Sequence, residues 1–233
     1  MHSRPRARAA RVAEAKVSAA PAPLRVVLAT RSVGKRDELR ALFSDAGIIV
    51  ESLNDAGVTV DAAEDALEVH DSFEANARAK ARWFAARLPG RAIIADDSGL
   101  VVDALGGAPG VRSKRWAGSA ESGAALESSN NAALLRALAS TIDADARSAR
   151  YVSVVVCVRE DDEWIARGDC DGRIVGELRG DGGFGYDPLF FSADLHKTFG
   201  QATREEKSAV SHRGRAMRAL LAQWSPSKVR VTR

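Results

Sequence analysis

Short apolar runs and amphipathic stretches alternate along the chain from Arg25 onward. The runs RVVLAT (25–30) and IIVESL (48–53) each predict a β-strand, because they are short, apolar and bounded by polar residues. Between them, GKRDELRALFSDAG (34–47) places leucine and phenylalanine at helical spacing and ends in glycine. This stretch therefore predicts an α-helix that joins the two strands.

A second helix is predicted over SFEANARAKARWFAARL (72–88), which follows an acidic loop. Apolar residues fall near one face of this helix, and Asn76 and Lys80 are neighbours on an adjacent face. Asp71 and Glu74 have the spacing of a capping box, so we expect them to cap the first helical turn.

Two carboxylates, Asp96 and Asp97, stand side by side in the sequence. They separate AIIA (92–95) from LVVDAL (100–105), which predict two strands flanking a polar junction. Like charges repel, and a buried charge is costly unless it is paired or bound to a cation. The junction is therefore either a turn or, together with Glu68, a set of hard oxygen ligands for Mg²⁺. A solvated loop position is the alternative for Glu68.

The second half of the chain predicts a helix, a β-hairpin and a final helix. Their bounds are 120–141 for the first helix, 150–159 and 163–175 for the strands, and 205–224 for the last helix. We expect the hairpin to turn at Asp161–Asp162. Thr203 and Glu206 have the spacing of a capping box that opens the last helix.

These elements predict a mixed α/β fold, because strand pairs of this kind are absent from a strictly alternating βαβ chain. The chain has 233 residues and a mass of 24.8 kDa, which suits one large domain or two small lobes. We place the folded domain at residues 24–226, between an N-terminal tail (1–23) and a C-terminal tail (227–233).

Charge is unevenly distributed along the chain. There are 34 Lys and Arg against 31 Asp and Glu, but the N-terminal tail alone holds five basic residues and one acid. The rest is close to neutral, which argues against a specific nucleic-acid partner. The tail lacks the apolar segment of a secretory signal. A transit peptide or a weak nucleic-acid contact would fit its composition, but we interpret it as a disordered extension without a catalytic role.

The cysteines and histidines do not predict a metal or disulfide framework. Cys157 and Cys170 have no C-x-x-C spacing, and Cys157 lies in an apolar run typical of a core strand. The four histidines lack zinc-ligand spacing. No apolar run approaches the roughly 20 residues that a membrane-spanning helix needs.

The segment TRSVGK (30–35) joins the first predicted strand to the first predicted helix. A hydroxyl, a glycine and a lysine at a helix N-terminus suit phosphate binding, because free N–H groups and the helix dipole attract anions. The segment is not a P-loop, which requires G-x-x-x-x-G-K-[ST]. An ordinary strand-to-helix turn is the alternative interpretation.

Two further segments carry candidate binding residues. GGFGYDP (182–188) sets two aromatic residues among glycines, either as a stacking surface for a base or as a turn with core aromatics. EEKSAVSHRGRA (205–216) crowds Lys207, His212 and Arg213 into a short stretch. A solvated basic helix face is the alternative for this second segment.

In their order along the chain, these segments resemble the inosine triphosphate pyrophosphatases, also called non-canonical purine NTP pyrophosphatases. The resemblance extends from Arg25 to Leu221. It is carried by VLATRSVGK, SFEANARAKA, IADDSGLVVDALGGAPGVRSKRWAG, GGFGYDPLFF and TREEKSAVSHRGRAM. The family hydrolyses ITP, dITP and XTP to the monophosphate and pyrophosphate with Mg²⁺. The resemblance also implies an elongated two-lobed α/β fold with a cleft between the lobes, a homodimer and a cytoplasmic location.

The resemblance implies roles for individual residues. Asp97 would activate water and hold Mg²⁺ with Glu68, while Asp96 would be an alternative ligand. Lys80 would add positive charge at the reacting phosphates, and Phe184 would stack on the base. The remaining substrate-binding residues would be Thr30, Arg31, Ser32, Val33, Gly34, Lys35 and Ser98 for the phosphates, and Gly185, Tyr186, Asp187, Lys207, His212 and Arg213 for the base.

Two segments depart from the family pattern. Family members typically carry Asn where this chain has Ser32, and a small residue, often Gly, where it has Arg31. We expect the charge of Arg31 to offset the shorter side chain of Ser32. The usual Glu-Thr-Gly is Glu68-Val69-His70 here, which leaves the role of Glu68 open. A pyrophosphatase for other modified nucleotides and a nucleotide-binding protein without turnover remain alternatives.

Overall fold

The computed structural model describes residues 24–143 and 145–223, so the predictions for the two tails lie outside the described residues. Seven strands form one sheet in the order β2-β1-β3-β4-β5-β6-β7. Their bounds are Arg25–Leu28 (β1), Ile49–Ser52 (β2), Ala92–Val102 (β3), Ser148–Arg159 (β4), Asp162–Ile174 (β5), Phe190–Ser192 (β6) and Lys197–Thr198 (β7). Strand β1 is parallel to β2 and β3, and the later pairs are antiparallel, which confirms a mixed sheet.

Within the described residues, five α-helices pack against this sheet. They are Val33–Asp45 (α1), Phe73–Ala85 (α2), Gly123–Ala137 (α3), Arg204–Val210 (α4) and His212–Gln223 (α5). Short 3₁₀ segments connect several elements, and one of them, Ala62–Glu68, lies in the acidic loop before α2. None of the helices in the described part of the chain is both long and apolar enough to cross a bilayer.

The long strands β3, β4 and β5 connect two packed regions. At one end, α1 and α5 cover one face of the sheet around Phe43 and Met217, while α2 covers the other face around Phe84. At the opposite end, α3 and the short strands enclose a third cluster around Tyr151 and Phe190. This arrangement confirms the α/β fold with two lobes that the resemblance implied.

The hairpin and the capping box before α4 are confirmed. Arg159 pairs with Asp162, so β4 and β5 turn where the sequence predicted. The Thr203 hydroxyl accepts from the Glu206 N–H at 3.2 Å, and the Glu206 carboxylate accepts from the Thr203 N–H at 2.8 Å. Cys157 is fully buried, as expected for a core strand.

The prediction of two strands flanking the double Asp is wrong. Strand β3 runs without interruption from Ala92 to Val102, and both acids pair within it, Asp96 opposite Val155 and Asp97 opposite Val154. The ladder to β4 satisfies the backbone at this point, so the polar side chains do not produce a turn.

Three helix predictions also need correction. Ser72, not Asp71, caps α2, because its hydroxyl accepts from the Ala75 N–H at 3.1 Å. The helix predicted over 120–141 is shorter, Gly123–Ala137. The last predicted helix is two helices, because Ser211 is extended (ψ 153°) and its hydroxyl accepts from the Gly214 N–H at 3.1 Å. This break starts a new helix at His212.

Close packing of α5 on β5 depends on a glycine. A Cβ atom at Gly168 would lie 2.3 Å from the His212 carbonyl oxygen and 2.4 Å from the Ala216 nitrogen. We therefore expect Gly168→Ala to lower the free energy of unfolding by about 1–3 kcal/mol, the usual cost of overpacking. At Gly176 the nearest atom would be 3.6 Å away, so Gly176→Ala is the matched control. Urea denaturation measures both, and equal stability of the two variants would contradict the close approach.

Candidate active site

A cavity of about 720 Å³ opens beside the C-terminal end of β1 and the N-terminus of α1. It brings together every site residue that the sequence predicted except Asp96. The lining residues among them are Thr30, Arg31, Ser32, Val33, Gly34, Lys35, Glu68, Lys80, Asp97, Ser98, Phe184, Gly185, Tyr186, Asp187, Lys207, His212 and Arg213. Residues that lie far apart in sequence therefore share one cavity.

The phosphate-loop candidate, residues 30–35, forms the turn between β1 and α1. Ser32 is the N-cap of α1, and its hydroxyl accepts from the Lys35 N–H at 3.4 Å. The loop thus points a helix N-terminus at the cavity, which suits an anion. Burial lowers the pKa of the Lys35 ammonium despite the nearby carboxylate of Asp96, 3.2 Å away.

Asp96 and Asp97 point to opposite faces of β3, because successive side chains of a strand alternate. The Asp96 carboxylate is fully buried, and its Oδ2 lies 3.2 Å from both Lys35 Nζ and Arg213 Nε. Ser98 donates to the same oxygen at 3.3 Å. Burial would raise the pKa of Asp96, but the two cations outweigh burial and hold that pKa well below its usual range. Protein cations therefore compensate Asp96.

Asp97 faces α2 and the cavity. Asn76 Nδ2 donates to Asp97 Oδ2 at 3.0 Å, and Lys80 Nζ lies 3.6 Å from Oδ1. Burial raises the pKa of Asp97 although the Lys80 charge opposes the shift. Burial would lower the pKa of Lys80, but Asp97 and Glu68 together hold it above its usual value.

Lys80 links the third acid to this group. Its Nζ donates to Glu68 Oε1 at 2.8 Å and to the Asp96 carbonyl oxygen at 2.5 Å. Burial would raise the pKa of Glu68, but Lys80 outweighs it and keeps that pKa below its usual value. Glu68 is therefore not an isolated loop residue, since it ends the 3₁₀ segment in contact with α2.

The metal corner of the cavity, formed by Asp97 and Glu68 around Lys80, has a donor set that fits Mg²⁺. Within the described residues, no three acidic, histidine or cysteine side chains cluster closely enough to bind a metal by themselves. Mg²⁺ does not require such a cage, because it commonly uses one or two carboxylates together with water and substrate phosphates. Asp97 and Glu68, which converge on one ammonium group, can supply those two carboxylates. Asp96 as an alternative ligand stays a prediction, and its contacts with Lys35 and Arg213 do not favour it.

The other end of the cavity carries Phe184. Its ring lies against Gly34, where a Cβ atom would be 2.7 Å from the ring. Lys207 Nζ is 4.8 Å and Arg213 Cζ 5.6 Å from the ring centroid. Asp187 accepts from the Phe184 N–H at 2.8 Å and from Lys207 Nζ at 2.5 Å, so this carboxylate fixes the glycine-rich turn.

Tyr186 and His212 line the cavity but are mostly buried. Tyr186 is 4% exposed and its hydroxyl donates to the Ser113 carbonyl oxygen at 2.7 Å, so this ring supports the turn and does not offer an open stacking face. The His212 ring stacks on Tyr151 with centroids 4.6 Å apart. Burial, with Arg213 and Lys207 nearby, lowers the pKa of His212 well below its usual value, which favours the neutral imidazole.

Sequence reasoning missed Glu38 and two cations. Glu38, on α1, bridges Lys207 and Arg213, with Oε1 at 2.7 Å from Lys207 Nζ and Oε2 in contact with Arg213 Nη1. The pattern that predicts this helix uses only its apolar residues and carries no signal for Glu38, which lies three residues after Lys35. Lys114 and Arg115 also line the cavity. They stand within GVRSKRWAG, a segment that carried the resemblance, but no spacing rule marked them.

Family membership follows from sequence similarity over the whole described fold. The sequence pattern of the Ham1 family matches residues 26–223. The chain belongs to the Ham1 family. The match includes the phosphate loop, the acids of β3 and the helices that carry Lys207 and Arg213, so the family resemblance inferred from the motifs is confirmed.

Named relatives and solved structures agree with this assignment. A dITP/XTP pyrophosphatase of Exiguobacterium sibiricum is 44% identical over 198 residues, covering 84% of this chain and 95% of that protein. One from Lactobacillus acidophilus is 43% identical over 201 residues, with coverage of 84% and 95%. The Staphylococcus aureus Ham1 structure has a TM-score of 0.71 at 33% identity, covering 88% and 100% of the two chains. A Mycobacterium abscessus nucleoside-triphosphatase, also titled a dITP/XTP pyrophosphatase, has a TM-score of 0.64 at 40% identity, with coverage of 85% and 99%.

Glu38 gives a prediction about stability in this Ham1 protein. Glu38→Gln removes the negative charge shared by Lys207 and Arg213, and we expect unfolding to become about 2 kcal/mol easier at pH 7. Arg213 and Lys207 outweigh burial and lower the pKa of Glu38, so its contribution is lost as the pH falls below the ordinary value of 4.5. The difference between wild type and variant should therefore shrink in acid.

The matched control is Asp37→Asn, one residue away. The Asp37 side chain is 48% exposed and 3.8 Å from Arg36, so we expect a change below about 0.5 kcal/mol. Urea denaturation between pH 3 and pH 8 measures both variants. A Glu38→Gln protein as stable as the control variant at pH 7 would show that the bridge is not needed.

Proposed function

We propose that this protein hydrolyses ITP, dITP and XTP to the monophosphate and pyrophosphate with Mg²⁺. One observation carries the proposal: a single cavity holds a helix N-terminus and Lys35, the pair Asp97–Glu68, and Phe184 with its neighbouring cations. These three groups suit the phosphates, the metal and the base of one nucleotide. The names of the relatives, dITP/XTP pyrophosphatases, support the same substrates.

Phosphate binding is proposed for the backbone N–H groups of the loop of residues 30–35 and for the side chain of Lys35, with Lys80 and Ser98. The N-terminus of α1 and the ammonium groups of Lys35 and Lys80 provide positive potential along one wall of the cavity. Ser98 lies next to Asp97 and accepts from Arg213 Nη2 at 2.8 Å, so its hydroxyl is fixed in position.

Asp97 is the proposed general base. A water molecule attacks the α-phosphorus, its proton passes to the Asp97 carboxylate, and the bond from the α-phosphorus to the bridging oxygen breaks to release pyrophosphate. Burial raises the pKa of Asp97 and so makes the carboxylate a better proton acceptor. Asn76 holds Oδ2 at 3.0 Å and thereby orients the carboxylate. Asp97 and Glu68 would hold Mg²⁺, which neutralises phosphate charge and acts as a Lewis acid when bound.

Base recognition is proposed for Phe184, Lys207 and Arg213. Three of the five N–H groups of Arg213 and two of the three N–H groups of Lys207 donate hydrogen bonds to other groups within the described residues. The remaining donors suit the 6-oxygen of hypoxanthine or xanthine, whereas the 6-amino group of adenine would leave them unpaired. A mismatch of this kind discriminates by orders of magnitude.

The homodimer and the cytoplasmic location implied by the family stay proposals. Sedimentation velocity on the full chain measures the first directly, and localisation of the tagged full-length protein measures the second.

The reaction itself gives a testable prediction. We expect ITP and XTP to yield pyrophosphate and the monophosphate in equal amounts, only when Mg²⁺ is present, while ATP reacts far more slowly. A panel with dITP, GTP and dUTP, followed by anion-exchange chromatography, measures products and preference together. Stepwise formation of IDP and inorganic phosphate would contradict the pyrophosphatase mechanism, and a preference for dUTP would favour modified pyrimidines.

Asp97 gives a second prediction. Asp97→Asn removes the proton acceptor while preserving shape, so we expect turnover to fall by at least about a hundredfold. Metal affinity should also weaken. Asp103→Asn is the control, because Asp103 is an exposed acid just beyond the same strand, bound to Arg150 at 3.3 Å. Initial rates at saturating Mg²⁺ compare the turnover of both variants with that of wild type. Near-normal turnover of Asp97→Asn would show that this residue is not the general base.

A further inference from the structure

Arg31 faces the cavity, but its guanidinium is already fully hydrogen-bonded. Nε and Nη2 donate to the two oxygens of Glu64 at 3.0 and 2.7 Å. Nη1 donates to Asn54 Oδ1 at 3.0 Å and to the Val58 carbonyl at 3.2 Å, and Nη2 also donates to the Thr59 carbonyl at 2.9 Å. A guanidinium has five N–H donors, so none is left for a phosphate.

These five acceptors belong to the loop that carries Glu68. Glu64 lies in the 3₁₀ segment Ala62–Glu68 and also caps it by accepting from the Asp61 N–H at 3.2 Å. The loop has large exposed residues, with Val60 76% and Val69 67% exposed, so apolar packing holds it only in part. Leu67 and Val58 anchor the loop to the core, and Arg31 adds a polar tie between the loop and the phosphate-binding turn.

We propose that Arg31 is a positioning residue that holds the Glu68 carboxylate at the metal corner by clamping the loop through Glu64. The inference deepens the proposed function and rests on it, because Glu68 matters here as a metal ligand. It replaces the expectation that the charge of Arg31 offsets the short side chain of Ser32. Glu64 balances that charge with a bidentate ion pair, and the hydrogen bonds from Arg31 outweigh burial and hold the pKa of Glu64 below its usual value.

A lysine at position 31 separates the two roles. Lysine keeps the positive charge but cannot reproduce the planar fork that binds both Glu64 oxygens and three loop acceptors. If Arg31 acts by charge, Arg31→Lys should behave as wild type. If it acts as a clamp, Arg31→Lys should behave like Arg31→Ala. Arg40→Ala is the matched control, because Arg40 bonds Asp55 of the same loop at 3.1 Å from an exposed position.

The experiment combines two measurements on the full chain. Amide hydrogen exchange measures the opening of residues 54–68. Mg²⁺ affinity is measured in two ways, by calorimetric titration with Mg²⁺ alone and by the Mg²⁺ concentration for half-maximal pyrophosphate release. We expect Arg31→Lys and Arg31→Ala to speed hydrogen exchange in the loop. Both variants should also raise the Kd for Mg²⁺ and the Mg²⁺ concentration for half-maximal pyrophosphate release by about tenfold, the lower end of the loss in metal affinity when a contact that orients a ligand is removed. The KM for ITP at saturating Mg²⁺ should stay within about twofold, and Arg40→Ala should change none of these values.

Other results would overturn the clamp. Unchanged hydrogen exchange in both Arg31 variants would do so. The clamp would also be wrong if Arg31→Lys behaved like wild type while Arg31→Ala raised the KM for ITP, because Arg31 would then be a phosphate ligand. A wild-type protein that releases no pyrophosphate would refute the proposed function instead. Hydrogen exchange in the loop and direct Mg²⁺ titration would still decide the role of Arg31 in that case.

Glu64→Gln, which keeps an oxygen for the Asp61 N–H, completes a double-mutant cycle with Arg31→Lys. Additive effects on loop exchange in that cycle would also count against the clamp.

Discussion

Both the fold and the cavity depend on one consequence of strand geometry, the alternation of successive side chains between the two faces of a sheet. In β3 this alternation separates the carboxylates of Asp96 and Asp97, so their repulsion is not concentrated in one pocket. Asp96 meets Lys35 and Arg213 on the face covered by α1 and α5. Asp97 meets Lys80 on the face covered by α2. Each helical layer is thereby tied to one of two adjacent residues.

Burial makes these pairings necessary. A charge removed from water without a partner costs several kcal/mol, so the cations of the cavity are stable only because acids accompany them. Glu38 does this for Lys207 and Arg213 at the base end, as Glu68 and Asp97 do for Lys80 at the metal end. The donors are consequently fixed in direction before a nucleotide binds, which lowers the reorganisation needed during the reaction.

Much of the fold was predictable because local patterns determine it. The hairpin of β4 and β5, the helix after β1 and the cap at Thr203 all follow from spacing over a few residues, and the structure confirms them. The errors lie where tertiary contacts override local preference. Asp-Asp-Ser-Gly resembles a turn, yet pairing with β4 keeps it extended, and a capping serine divides the last helix at Ser211.

By itself the sequence determined most element types, the family and the candidate site residues, all of which except Asp96 line the cavity, because hydrophobic period and short motifs are local properties. Only the tertiary structure decided which charge meets which. It paired Asp96 with protein cations, placed Glu38 between Lys207 and Arg213, and assigned all five donors of Arg31 to the loop before α2. Partners of this kind are 23 to 175 residues apart in the chain. Their meeting is set by how helices pack on the sheet, and no local pattern encodes that distance.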